Sequence, residues 1–259
     1  GGRASRGWGV VVRDGDAADR LARVFGADAD WRGTTSWSAF RRGRSFEPEP
    51  PANGSYPAAI APANVSVESV SVAVAPDNAE GAMVSLLDSA TESIRVQQVA
   101  IGDRENPFLR AALRAARRGV EVRILLSSAW YVREDNRALV ERLNGLADRE
   151  DLPLTARTAD PDGRYEKLHS KGVVVDRKAA VVGSLNWNDN SARDNREVAV
   201  VLRGSEVAGF YADAFDRDWD ASADRAATDR LPVGVLAAVA VGALAAILVA
   251  KREIRFETG

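Results

Sequence analysis

Between residues 79 and 219 helical and strand-like hydrophobic periods alternate almost without a break, which restricts the chain to layered α/β architectures. Residues 79–92 have amphipathic helical spacing, and SIRVQQVAI (93–101) has a strand pattern. NPFLRAALRAARRG (106–119) reads as a helix, with Pro107 near its start and Gly119 just past its end, where each residue is favoured. VEVRILLS (120–127) predicts a strand, 134–150 a polar-faced helix and LPLTART (152–158) a strand. KGVVVD and AAVVGS are two valine-rich strands parted by a turn at Asp176-Arg177-Lys178. REVAVVLR (196–203) is another strand, and 205–219 a closing helix. The expected fold is α/β, a mixed sheet flanked by helices, over residues 79–220.

The flanks differ in composition. Residues 41–78 hold six prolines with glycine, serine and asparagine, and read as a linker. Asn53 and Asn64 begin weak glycosylation sequons there. LPVGVLAAVAVGALAAILVA (231–250) holds no charge, and twenty such residues span about 30 Å as a helix. A C-terminal transmembrane helix is therefore expected, followed by a short tail, 251–259, with Lys251, Arg252 and Arg255. The positive flank places that tail in the cytoplasm and the folded domain outside. The chain opens GGRASRGWG without an initiator methionine, as expected of a processed chain or a piece of a longer one.

Composition excludes several chemistries. With no cysteine, thiolate catalysis and disulfides are ruled out. With one histidine besides, a protein-built zinc site is not expected. The net charge of −2 gives no general attraction to polyanions. Local basic patches at Arg41, Arg42 and Arg44, or at Arg114, Arg117 and Arg118, are the only support for nucleic acid. The first set borders the proline linker and the second reads as a solvated helix face.

The single histidine, His169, sits in KLHSKGVVVDRKAAVVGSLNWN (167–188). Lys171 follows two residues on and Asp176 seven on, and Gly183, Ser184 and Asn186 complete H-x-K-x4-D-x6-G-S-x-N. In extended backbone His169 and Lys171 point the same way, so an imidazole and a fixed positive charge share one space. Gly183-Ser184 lets backbone approach a ligand closely, and Asn186 adds a donor. A nucleophile, an ammonium and an amide converging on one point suit a tetrahedral anion such as phosphate. Lys167 reads as incidental.

This segment resembles the signature of the phospholipase D superfamily, and 80–219 resembles one family half-domain throughout. The similarity extends to Trp187, Ser191 and Asn195. Members hydrolyse or transfer phosphodiesters of lipids or nucleic acids without metal or organic cofactor, so none is expected here. The resemblance implies that His169 is the nucleophile forming a phosphohistidine, or the acid protonating the leaving group. It implies that Lys171 and Asn186 hold the phosphate oxygens with Ser184 assisting. Asp176 matches the family aspartate, a support more than a reactant. Glu197, 28 residues past the histidine, matches an acid that hydrogen-bonds the histidine of the opposing half.

The family site faces two such motifs across a two-fold or pseudo-two-fold axis, one histidine attacking while the other protonates the leaving oxygen. One histidine makes half of that site. Residues 6–25 laid over 196–215, at a constant offset of 190, agree at seven of twenty positions, and both copies then reach an Asp-Trp pair (Asp30-Trp31, Asp218-Trp219). Residues 1–40 are therefore expected to be the tail of a preceding half-domain, with 8–13 its last strand. Gly7 stands opposite Glu197, so the halves are not equivalent. The second motif is expected from that upstream half or from a second copy in a homodimer. The expected activity is a membrane-anchored phosphodiesterase, with phospholipid favoured over nucleic acid. The alternatives are a phosphatidyltransferase like cardiolipin synthase, or a catalytically silent phosphate-binding module.

Overall fold

The computed structural model describes residues 5–30, 33–51, 60–102, 105–161 and 163–228. In chain order its elements are β1 (Ser5–Arg6), α1 (Gly15–Ala29), α2 (Trp37–Phe40), β2 (Ser69–Ala75), α3 (Ala79–Asp88) and β3 (Ser93–Gln98). Next come α4 (Pro107–Arg117), β4 (Glu121–Leu126), α5 (Arg133–Glu150), β5 (Leu154–Thr158), β6 (Lys167–Leu168) and β7 (Gly172–Val175). The last four are β8 (Ala179–Gly183), α6 (Asp189–Arg193), β9 (Glu197–Arg203) and α7 (Ser205–Thr228).

Seven strands form one mixed sheet in the order β2-β9-β8-β7-β3-β4-β5. β3, β4 and β5 run parallel, whereas β7, β8, β9 and β2 join by antiparallel pairing. On one face Met83 and Leu86 of α3, Phe108 and Ala112 of α4, and Leu139 and Leu143 of α5 share a core with Ile94, Val96, Ile124 and Val173. On the other, Val174, Ala180 and Leu202 pack under Val207, Ala208 and Tyr211 of α7. Leu21 and Val24 of α1 lie over Val72 and Val74 beside them. Because both faces are covered, all four residues of β7 are buried, which is why the strand reads as an unbroken valine run rather than an alternation.

Local chemistry sets the element ends. Asn106 caps α4 by accepting from the Phe108 and Leu109 amides at 3.1 Å each, with Pro107 at the first helical position. Between β7 and β8, Asp176 and Arg177 adopt φ of 53° and 51°, and the Lys178 amide donates to the Val175 carbonyl at 2.9 Å. Two left-handed central residues make the tight turn whose twist suits a hairpin.

Two expectations need correction. The linker does not extend to residue 78, because β2 lies inside it and pairs along its whole length with β9. The alternation in SVSVAVA, which buries only its last four residues, was masked by the polar half of an edge strand. Residues 8–13 also form no strand. Only Ser5–Arg6 pairs, parallel with Lys167–Leu168, while Trp8 and Val12 spend their apolar surface against the α7 side of the core. The helix after them does follow the offset, since α1 and α7 begin at residues 15 and 205. The expected transmembrane helix at 231–250 and the tail at 251–259 lie outside the described residues. Among the described residues no helix is long and apolar enough to cross a membrane.

Candidate active site

The register brings the start of β7, the end of β8 and the start of β9 to one end of the sheet, with Gly172 opposite Val182 and Gly183 opposite Ala199. His169 and Lys171 enter β7 there, Ser184 and Asn186 leave β8, and Glu197 begins β9. The parallel strands β3 and β4 end at the same side, so their following loops form the rim.

Lys171 closes directly on the histidine. Its Nζ lies 3.0 Å from His169 Nδ1 and 3.3 Å from Nε2, and it donates to the His169 carbonyl at 3.1 Å. Partial burial first, then the charges of Lys171 and Lys167, hold the imidazole below its ordinary pKa. Burial likewise lowers the Lys171 ammonium, while Glu197 works against that loss and Lys167 adds to it. The shift favours a neutral imidazole beside the Lys171 amine, a suitable pairing for attack on an anionic ester.

Behind the histidine, the backbone is fixed from both sides. The His169 amide donates to the Arg6 carbonyl at 2.7 Å. Ser170, buried and facing away from its neighbours' space, accepts from Gln97 Nε2 at 2.8 Å, and Gln97 also reaches the Asp218 carboxylate at 3.4 Å. Arg6 pairs with Asp218 through two bonds of 3.0 Å, and Asp218 is fully buried. Trp8 lies directly against Gly172, where an added Cβ would meet its ring at 2.1 Å. These four polar residues and Trp8 were not legible as site residues. Their partners lie as far as 212 positions away, and only the repeated Asp-Trp pair pointed to Asp218.

On the return side, Gly183 admits the β9 backbone so closely that a Cβ would sit 2.3 Å from the Val198 carbonyl oxygen and 2.4 Å from Ala199 Cα. The Ser184 hydroxyl accepts from the Val198 amide at 3.1 Å, and Asn186 Nδ2 faces Ser191 Oγ at 3.4 Å. Glu197 accepts from Asn195 at 3.3 Å and influences Lys171; among the described residues it has no hydrogen bond to His169. Trp187 is a core residue, fully buried against Phe108 with ring centroids 5.7 Å apart.

Asp176 does not join this group. Seven residues of extended chain, about 20 Å, separate it from His169. At the far end of β7 it accepts from the Thr91, Glu92 and Ser93 amides and the Thr91 hydroxyl, all at 2.8–2.9 Å. Burial raises its carboxyl, but those hydrogen bonds together outweigh it and hold the pKa below the usual value. It pins the hairpin turn to the start of β3. Lys167 is also more than incidental: its Nζ sits 5.9 Å from the Tyr131 ring centroid, and its charge bears on both His169 and Lys171. Tyr131 and Trp130, 42% and 82% exposed, occupy the rim loop after β4.

Known proteins share this frame. Residues 83–219, just over half of the chain, match the family model described as cardiolipin synthase, PLD-like domain. The mitochondrial cardiolipin hydrolase of Mus musculus is 26% identical over 103 residues, 40% of this chain and 42% of that protein. Cardiolipin synthase A of Pseudomonas aeruginosa PAO1 is 36% identical over 126 residues, 48% of this chain and 24% of that protein. The chain thus spans about two fifths of the length of the first relative and a quarter of the second. The structure of NucT from Helicobacter pylori, at 20% identity and a TM-score of 0.50, covers 59% of this chain and 96% of its own, which supports the fold. With its family match, mixed sheet and intact H-x-K-x4-D-x6-G-S-x-N segment, the chain belongs to the phospholipase D superfamily.

Proposed function

We propose that the chain is one half of a membrane-anchored phosphodiesterase in which His169 is the nucleophile. A neutral His169 nitrogen bonds to phosphorus as the bond to the leaving alcohol breaks, giving a phosphohistidine. The alcohol oxygen takes its proton from a second histidine, supplied by an upstream half of which 1–40 is the tail, or by a second copy of this chain. That second histidine then removes a proton from water, whose oxygen displaces the His169 nitrogen and restores it. Lys171 and Asn186 hold the non-bridging oxygens, Ser184 orients the return strand, and Glu197 supports the opposing histidine and the Lys171 charge. The observation that carries this reading is the 3.0 Å approach of Lys171 Nζ to the His169 imidazole, whose neutral form burial and the two neighbouring lysine charges favour.

Phospholipid is the favoured substrate. Support comes from the uncharged 231–250 stretch, which as a membrane helix would keep the site near a bilayer, tail inward and domain outside. It comes also from relatives named for cardiolipin hydrolysis and synthesis. Transfer to a second alcohol in place of water would make the protein a phosphatidyltransferase. Hydrolysis of a chromogenic phosphodiester by the dimer, or by the chain joined to its upstream half, tests the assignment. His169→Ala should lower turnover at least ~1000-fold. Equal turnover by wild type and His169→Ala would leave a silent phosphate-binding module as the better reading.

A further inference from the structure

The segment WSAFRRGRSF (37–46) forms an aromatic cluster that has no part in the core. Trp37, Phe40 and Phe46 are 60%, 41% and 53% exposed. They pack on one another, with centroid separations of 5.9 Å for Trp37–Phe40, 5.2 Å for Trp37–Phe46 and 6.1 Å for Phe40–Phe46. Every described residue from 33 to 51 is exposed, so nothing described covers these rings. Three large rings gathered in water lose hydrophobic stabilisation that a partner surface would restore.

Within residues 37–46 every charged side chain is an arginine. Arg44 lies 4.1 Å above Phe40 and Arg41 6.0 Å from Trp37. Among the described residues Arg41, Arg42 and Arg44 have no ion pair, while Glu47 and Glu49 follow just beyond and pair with none of them. Apolar rings ringed by unpaired guanidinium groups match the boundary of an anionic bilayer, where aromatics settle at headgroup depth and arginines meet lipid phosphates. Single-stranded nucleic acid fits less well. It needs a positively charged groove that tracks the strand's backbone, whereas the three arginines here lie within four residues of one exposed segment.

We propose that residues 37–46 are an interfacial docking element for an anionic lipid surface. It lays the folded domain on the bilayer, separately from any spanning segment. The proposal does not depend on His169 being reactive.

The chain has no cysteine, so one introduced thiol is a unique label site. The chain of residues 1–259 carrying Ser38→Cys with an environment-sensitive fluorophore would be reconstituted in nanodiscs of phosphatidylcholine, with and without phosphatidylglycerol. A label at exposed Glu141→Cys serves as the reference position. The expected result is a blue shift at residue 38 in phosphatidylglycerol discs, reversed by salt and absent at residue 141. The shift should be lost in Arg41→Gln/Arg42→Gln/Arg44→Gln and in Trp37→Ala/Phe40→Ala, with added anionic vesicles competing ~100-fold less effectively for the triple variant. No shift, or an equal shift in neutral discs, would overturn the proposal. So would a shift produced in detergent by a single-stranded oligonucleotide and not by lipid.

Discussion

At His169 the surroundings and the chemistry make a joint prediction about pH. Burial and the charges of Lys171 and Lys167 lower its pKa beneath the ordinary 6.5, which favours the neutral form that the proposed attack requires. The acid limb of kcat/KM should therefore fall through a pKa below 6.5, and Lys167→Ala should move that limb to higher pH by removing one of the charges. A pH profile unchanged by Lys167→Ala would contradict the placement. The motif residues at this end were legible because a strand period and one tight turn fix where they emerge. Lys167 was not, since its role depends on Tyr131, 36 positions away and met only in the folded chain. Asp176 was legible as a motif residue but not in its place: a carboxylate holding three amides and a hydroxyl is a brace. Asp176→Ala should cost about 2 kcal/mol in denaturant unfolding while lowering turnover far less than His169→Ala. A loss of activity equal to that of His169→Ala, with stability intact, would restore it to the reaction.

At the scale of elements, strand and helix order could be read along most of the chain because each element is amphipathic or bounded by caps and turns. The two failures share a cause. β2 and residues 5–13 take their conformation from partners distant in sequence, β9 for the first and β6 with α7 for the second. Both can be tested by substitution. Gly172→Ala forces its Cβ into the Trp8 ring and should destabilise the chain by about 1–3 kcal/mol, whereas in a Trp8→Ala background it should cost much less. Additive effects in that cycle would mean that Trp8 does not dock there. Arg6→Ala leaves the buried Asp218 carboxylate without its ion pair and should cost about 3–5 kcal/mol in the same unfolding measurement.

For the molecule as a whole, the sheet gathers one histidine, one lysine and the β8 and β9 returns at a single end, half of the two-histidine site proposed above. On the proposed reading, the part supplied from elsewhere is the acid that protonates the leaving group, while His169 is the nucleophile and Lys171 the phosphate-binding cation. A bis(nitrophenyl) phosphodiester separates the two, because its leaving group departs as a stable phenolate and needs no such proton. The most direct measurement is rapid-quench mass spectrometry of the monomeric chain with this substrate. A burst of one phenolate per chain and an acid-labile nitrophenylphosphoryl adduct on His169 are expected, with little turnover afterwards. Steady hydrolysis by the monomer without any adduct on His169 would contradict the proposed reading.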